Sequence, residues 1–145
     1  MDPKDLKHKI INLAFTEGFG RAGIASLEPF TNESKRLDAW FRKNHHQYLP
    51  YLNPAKMLMP KGTFGSSEVA LVVFYPYARP DKIPGESGTQ KASRYLWGED
   101  YHWIIKKKLL RILESIHDLD PTIEGKVCVD TAPLLERQLA QRAGI

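Results

Sequence analysis

Three stretches of the chain carry residue types suited to chemistry. The first is Val127-Cys128-Val129-Asp130, an apolar run that delivers a carboxyl to the end of a predicted strand, just before Thr131-Ala132-Pro133. Strand ends in α/β sheets open onto ligand crevices. A carboxyl partly withdrawn from water there can hold a proton near neutral pH and act as a general acid. On residue chemistry alone the plainer reading of Asp130 is a helix cap, because an acid accepts from the first free N–H groups and meets the positive end of the helix dipole. The second stretch is "SRYLWGEDYH" at 93–102. As a ligand wall, Gly98 lets backbone approach a large molecule, and Ser93, Arg94, Tyr95, Trp97, Asp100, Tyr101 and His102 line a broad, flat cofactor. As plain structure, Asp100 caps the following helix and the aromatics fill core or rim. The third is the basic run Lys106–Lys108 with Arg111. It is either the solvated face of an amphipathic helix or a contact for an RNA backbone, and no aromatic interleaving supports the second reading.

Other candidates carry less. His45 and His46 are adjacent, so their side chains diverge and a shared metal is not expected. Cys128 is the single cysteine of 145 residues, too few thiolates for a disulfide, a zinc finger or an iron–sulfur cluster, and it reads as a small buried strand residue. A lone thiol makes the cytoplasm the default compartment. The net charge of +4 permits an anionic partner without requiring one. No run approaches the roughly 20 apolar residues that cross a bilayer. The charged start "MDPKDLKHKI" lacks the apolar core of a signal peptide.

The elements that must position these residues alternate. Asp2-Pro3 opens a helix carrying Leu6, Ile10, Leu13 and Ala14 at helical spacing and ending at Gly18. "FGRAGIA" (19–25) is a short strand. Thr31, Asn32 and Ser34 offer caps for a second helix with Leu37, Trp40 and Phe41 on one face. Prolines and glycines predict short helical turns and loops over 45–67. "EVALVVFYPY" (68–77) is nearly all apolar and is expected to be covered on both faces. A polar loop at 79–91 precedes a long helix, 99–119, striped by Ile105, Leu109, Ile112, Leu113 and Ile116. "KVCVD" (126–130) predicts a third strand. A last helix spans 132–143, with Pro133 in its first turn and Glu136 near its positive end. The order predicts a single α/β (α+β) domain, a small mixed sheet with flanking helices.

The motifs "SRYLWGEDYHWIIKKKL" and "VDTAPLLERQLAQRAGI", with "GFGRAGIA" and "MLMP...EVALVVFYPY" in order before them, resemble the N-terminal region (DUF1730) of the epoxyqueuosine reductase family. The resemblance covers nearly the whole chain. It implies a cobalamin-binding region, residues 1–145, of an oxidoreductase that completes queuosine in tRNA. Asp130 falls on the family's proposed proton donor, and 93–102 falls on the corrin side. In the implied reaction, reduced cobalt and 4Fe-4S clusters supply electrons, the acid protonates the departing oxygen, and water leaves. The clusters belong to a ferredoxin-like module that family members carry further along. The resemblance therefore implies a C-terminally incomplete piece that does not turn over alone. A non-catalytic corrinoid- or tRNA-binding fragment, or an inactive remnant, is the alternative. Two departures stand: "YLPYLNPAKMLMP" has no arginine where many members carry one, and "KGTFGSS" is slightly long.

Overall fold

The computed structural model describes residues 2–44, 47, 53–76, 99–130 and 132–145. Helix α1 (Pro3–Thr16) starts as its sequence predicts, with the Asp2 side chain accepting from the Lys4 N–H and proline in the first turn. It leads into β1 (Arg21–Ser26). Helix α2 (Thr31–Arg42) follows, then the short helices α3 (Pro54–Leu58) and α4 (Pro60–Thr63). Strand β2 (Val69–Phe74) pairs antiparallel with β1, Arg21 opposite Phe74 and Ser26 opposite Val69. Helix α5 (Tyr101–Leu119) and helix α6 (Glu136–Ala143) complete the described elements.

The sheet is sandwiched, because strand side chains alternate between faces. On one face Ala22, Leu71 and Val73 pack against Ala14, Phe19, Ile112 and Ile116, joining the sheet to α1 and α5. On the other, Ala25, Ala70 and Val72 meet Leu139 and Ala143 of α6, with Leu27 and Phe30 beside them. The all-apolar composition of β2 is explained by these two apolar layers.

Two bonded clamps fix the layers. Arg111 of α5 reaches Glu17 after α1, with its Nε 3.1 and 3.0 Å from the two carboxylate oxygens. Lys108 donates to the Glu17 carbonyl. Two members of the basic run thus staple α5 to the end of α1 rather than lying loose in solvent. The guanidinium holds the Glu17 carboxyl below its ordinary range through its hydrogen bonds, against some loss of water. On the other face, Arg142 of α6 donates to the carbonyls of Ser26 and Glu28 at 2.8 and 2.7 Å and lies over the Phe30 ring.

Four sequence expectations are corrected. Residues 126–130 form no strand: they have no ladder with β2, and an apolar slot separates them from it. A strand exists only where a partner edge accepts its backbone groups. Helix α6 begins at Glu136, not 132, with Leu135 as N-cap and no side-chain cap bond. Pro133 disfavours helical backbone at the residue before it, and a turn closes instead from the Leu134 N–H to the Ala132 carbonyl, 2.8 Å. Helix α2 is N-capped by Phe30 without a side-chain bond, so Thr31, Asn32 and Ser34 are not its caps. Cys128 is half-buried and outside any strand. His45, His46 and the 79–91 loop lie outside the described residues. Among the described residues, no helix is long and apolar enough to cross a membrane.

Candidate functional site

Asp130 and the start of α5 meet although 29 residues separate them in sequence. The Tyr101 hydroxyl donates to Asp130 Oδ2 at 2.5 Å. His102 stacks on Tyr101, ring centroids 4.1 Å apart, and places its Nε2 4.0 Å from the same oxygen. Its Nδ1 lies 2.7 Å from Asp100 Oδ1, which also accepts from the His102 backbone N–H at 2.9 Å. Asp100 therefore does two jobs. It caps α5, and it orients the imidazole with Nδ1–H toward the carboxylate and Nε2 toward Asp130. Those bonds from His102 hold the Asp100 carboxyl below its usual range.

Asp130 itself sits in the left-handed region, φ 51°. A non-glycine residue seldom adopts that conformation, and aspartate tolerates it better than most. It does not cap α6, which opens six residues later, so the cap reading of Asp130 is overturned. The turn presents its carboxyl with about half its surface open, 47%. The sequence reading missed one neighbour, Glu136. Its carboxyl is pushed above the ordinary range, first by loss of water, then by the charge of Asp130 and a side-chain hydrogen bond with it. Much of the Glu136 residue remains exposed. The loss of water concerns its carboxyl end, which shares with Asp130 the rim of an apolar slot of about 540 Å³. Spacing gave no warning of this, since Glu136 looked like an ordinary acid in a first helical turn.

The structure brings together Asp100, Tyr101, His102 and Asp130 of the residues singled out from sequence. Ser93, Arg94, Tyr95, Trp97 and Gly98 lie outside the described residues. Beside the cluster, Trp103 is 71% exposed, with the Lys106 ammonium 5.7 Å from its ring centroid. An open aromatic and polar shelf next to an acid fits a broad, flat ligand better than the slot does, because slots of this size hold drug-sized molecules.

An α5 that opens on Asp-Tyr-His and a turn that aims an aspartate at it define a recognisable type of domain. Residues 58–131 match the family described as epoxyqueuosine reductase QueG, DUF1730. The chain belongs to the epoxyqueuosine reductase family. The epoxyqueuosine reductase of Cyclobacterium marinum is 31% identical over 130 residues, 88% of this chain and 42% of that one. The structure of the enzyme from Streptococcus thermophilus superposes with a TM-score of 0.83 at 26% identity, covering 100% of this chain and 39% of that one. An epoxyqueuosine reductase crystallised with an epoxyqueuosine-modified tRNA-Tyr stem loop shares the fold, TM-score 0.70 at 24% identity, over 97% of this chain and 38% of that one. The chain thus spans less than half the length of these relatives.

Proposed function

We propose that this chain is the cobalamin-binding part of an epoxyqueuosine reductase acting on tRNA, and that Asp130 is its proton donor. The observation that carries the reading is the Tyr101–Asp130 hydrogen bond, which joins the Asp-Tyr-His start of α5 to the acid of the Val-Asp-Thr-Ala-Pro turn. What supports the tRNA assignment is membership of the family, together with the relative crystallised with an epoxyqueuosine-modified tRNA stem loop.

Reduction of an epoxide to an alkene takes two electrons and two protons and releases water. Cobalamin, held at the rim formed by Tyr101, His102 and Trp103, would supply the two electrons. The residues of this chain manage the oxygen. An alkoxide or hydroxide is a poor leaving group, and protonation by Asp130 lets the C–O bond break with water as product. Tyr101 holds one carboxyl oxygen and fixes the direction of the acid. His102 stands 4.0 Å away, within one water or a small movement, and can return a proton to Asp130 between its first delivery, to the opened ring oxygen, and its second, to the departing hydroxyl. Asp100 keeps that imidazole aimed. Tyr101, His102 and Trp103 offer the corrin an aromatic rim. Ser93, Arg94, Tyr95, Trp97 and Gly98 are proposed as cofactor-binding by their place in the family motif.

The test is Asp130→Asn in a complete enzyme carrying this segment. Asn retains the shape and tolerates the left-handed turn, so the fold and cobalamin binding are expected to survive. Single-turnover formation of the alkene product is expected to fall roughly 10²–10⁴-fold, the contribution of a positioned acid. Unchanged turnover at unchanged Tm would remove Asp130 from the mechanism.

A further inference from the structure

We propose that Glu136 is a positioning residue for the reaction: hydrogen-bonded to Asp130 at the rim of the apolar slot, it keeps the proton that Asp130 delivers first. The inference rests on the reading of Asp130 as proton donor and meets a difficulty in that reading. A free aspartate is ionised at neutral pH and has no proton to give. The described partners of Asp130 use it as an acceptor: the Tyr101 hydroxyl donates to Oδ2, and His102 Nε2 lies 4.0 Å from the same oxygen. An acceptor becomes an acid only if a proton reaches it from a neighbour.

Glu136 faces Asp130 because the chain doubles back between them. Asp130 stands in the left-handed region, φ 51°, and the Leu134 N–H closes a turn on the Ala132 carbonyl. The first residue of α6 thereby returns to the rim that Asp130 occupies. There the backbone N–H and the side chain of Asp130 both hydrogen-bond the Glu136 carboxyl. Among the described residues no cation pairs with Glu136. The slot beside it is walled by Val127, Val129, Leu134, Leu139 and Ala140. Two carboxyls in contact resist being charged together, so one proton stays between them. It rests on Glu136, whose carboxyl is pushed above the ordinary range by loss of water first and by the charge of Asp130 second. The other ionisable groups on the slot are Glu124, Lys126, Cys128 and Arg137. Burial pushes the Cys128 thiol up against the opposing charge of Lys126, so the thiol enters no exchange near neutral pH.

The step is a proton movement and requires no oxidant or reductant of its own. When the ring oxygen gains charge beside Asp130, the shared proton crosses from Glu136 to Asp130 and on to that oxygen. One O–H bond breaks at Glu136 and one forms on the substrate. Both carboxyls are then charged, an arrangement that favours return of a proton from His102 to Asp130 for the second delivery. Water at the open rim restores the pair afterwards.

Two measurements decide it. In the 145-residue chain, NMR of the isotope-labelled Glu136 side-chain carboxyl, assigned through its backbone, follows that group's titration. Asp130→Asn removes the neighbouring charge and should lower the proton affinity of Glu136 about tenfold. An unchanged midpoint overturns the proposal. In a complete enzyme carrying this segment, Glu136→Gln is compared with the parent in single-turnover product formation from about pH 5 to 8. The deficit of the variant should widen with pH. It should be slight at the acid end, where solvent protons load Asp130 directly, and about tenfold or more at neutral pH. A deficit that is the same at every pH, or none, overturns the proposal, because the contact with Asp130 would then be structural. Asp130→Asn in the same assay separates the two ideas. Unchanged turnover there overturns the Asp130 reading and this proposal together. Lost turnover there beside a flat Glu136→Gln profile overturns this proposal alone. If Glu136→Gln loses Tm or cobalamin binding, the NMR titration decides, since Glu136 is intact in it.

Discussion

Glu136 is the residue whose charge state sets the electrostatics around Asp130. A helix N-terminus favours a negative charge on it by a few tenths of a kcal/mol to about 1 kcal/mol. Loss of water and the neighbouring carboxyl act in the opposite sense and prevail, so its folded-state value lies above the ordinary 4.5. The consequence for stability has a definite sign. The folded protein holds this proton more tightly than the unfolded chain, so the contribution is complete below the unfolded value and is lost as pH rises through the folded value. Glu136→Gln keeps the size and cannot ionise. The Tm difference between variant and parent, followed from about pH 4 to 8, should move in favour of the variant as pH rises. Glu17, Glu68 and Asp100, whose values are lowered, pull in the other direction in both proteins and cancel in the difference. A pH-independent difference would show that the Glu136 carboxyl is not pushed up in the folded protein. The catalytic candidate itself was legible because an acid ending an apolar run is unusual in sequence. The pair with Glu136 was not, because it depends on how a proline-bearing turn folds back.

At the scale of elements, sequence periodicity located the helices well wherever a cap and an apolar stripe coincided. Asp2-Pro3 opens α1 and Asp100 opens α5, each with its side chain on a backbone N–H. Ile112 and Ile116 of the predicted stripe are buried in the core. Pattern reading failed where an element depends on a neighbour, as with 126–130, whose apolar run suits a strand that finds no edge among the described residues. Gly23 shows the same dependence from the opposite side. In sequence it is an unremarked small residue inside a strand, a position where glycine costs stability unless something needs the space. In the structure a Cβ there would overlap the Ala143 carbonyl oxygen, so the end of α6 lies directly on β1. The obstacle is backbone at the end of a helix, which cannot rotate aside like a flexible side chain. Gly23→Ala is therefore expected to lower stability by about 1–3 kcal/mol, the usual cost of overpacking, read from urea unfolding with an unchanged m-value. Its partner opposite in the ladder, Val72, meets the same helix, and Val72→Ala should be milder, about 1 kcal/mol, because it removes atoms from a half-buried site. Equal stability of Gly23→Ala and parent would mean that α6 stands off the sheet.

At the scale of the whole molecule, the aromatic shelf and the slot are both partial enclosures. Tyr101 and His102 retain exposed surface, Trp103 is mostly in solvent, and Asp130 is about half open. A corrin held on such a shelf keeps much of one face in water. Tight binding of a large ligand requires most of its surface to be buried, because association costs several kcal/mol in lost freedom before any contact is counted. The relatives that perform the family reaction are more than twice as long as the matched region, which leaves ample polypeptide to close the other side. Cobalamin is therefore expected to bind this 145-residue chain with a Kd in the micromolar range or weaker, a binding free energy of about −8 kcal/mol or less favourable, measured by visible absorbance titration with calorimetry beside it. Substituting Trp103 with Ala should weaken that binding further without changing Tm, since an exposed ring contributes little to the fold. A nanomolar Kd for the chain alone would show that these 145 residues already enclose the cofactor.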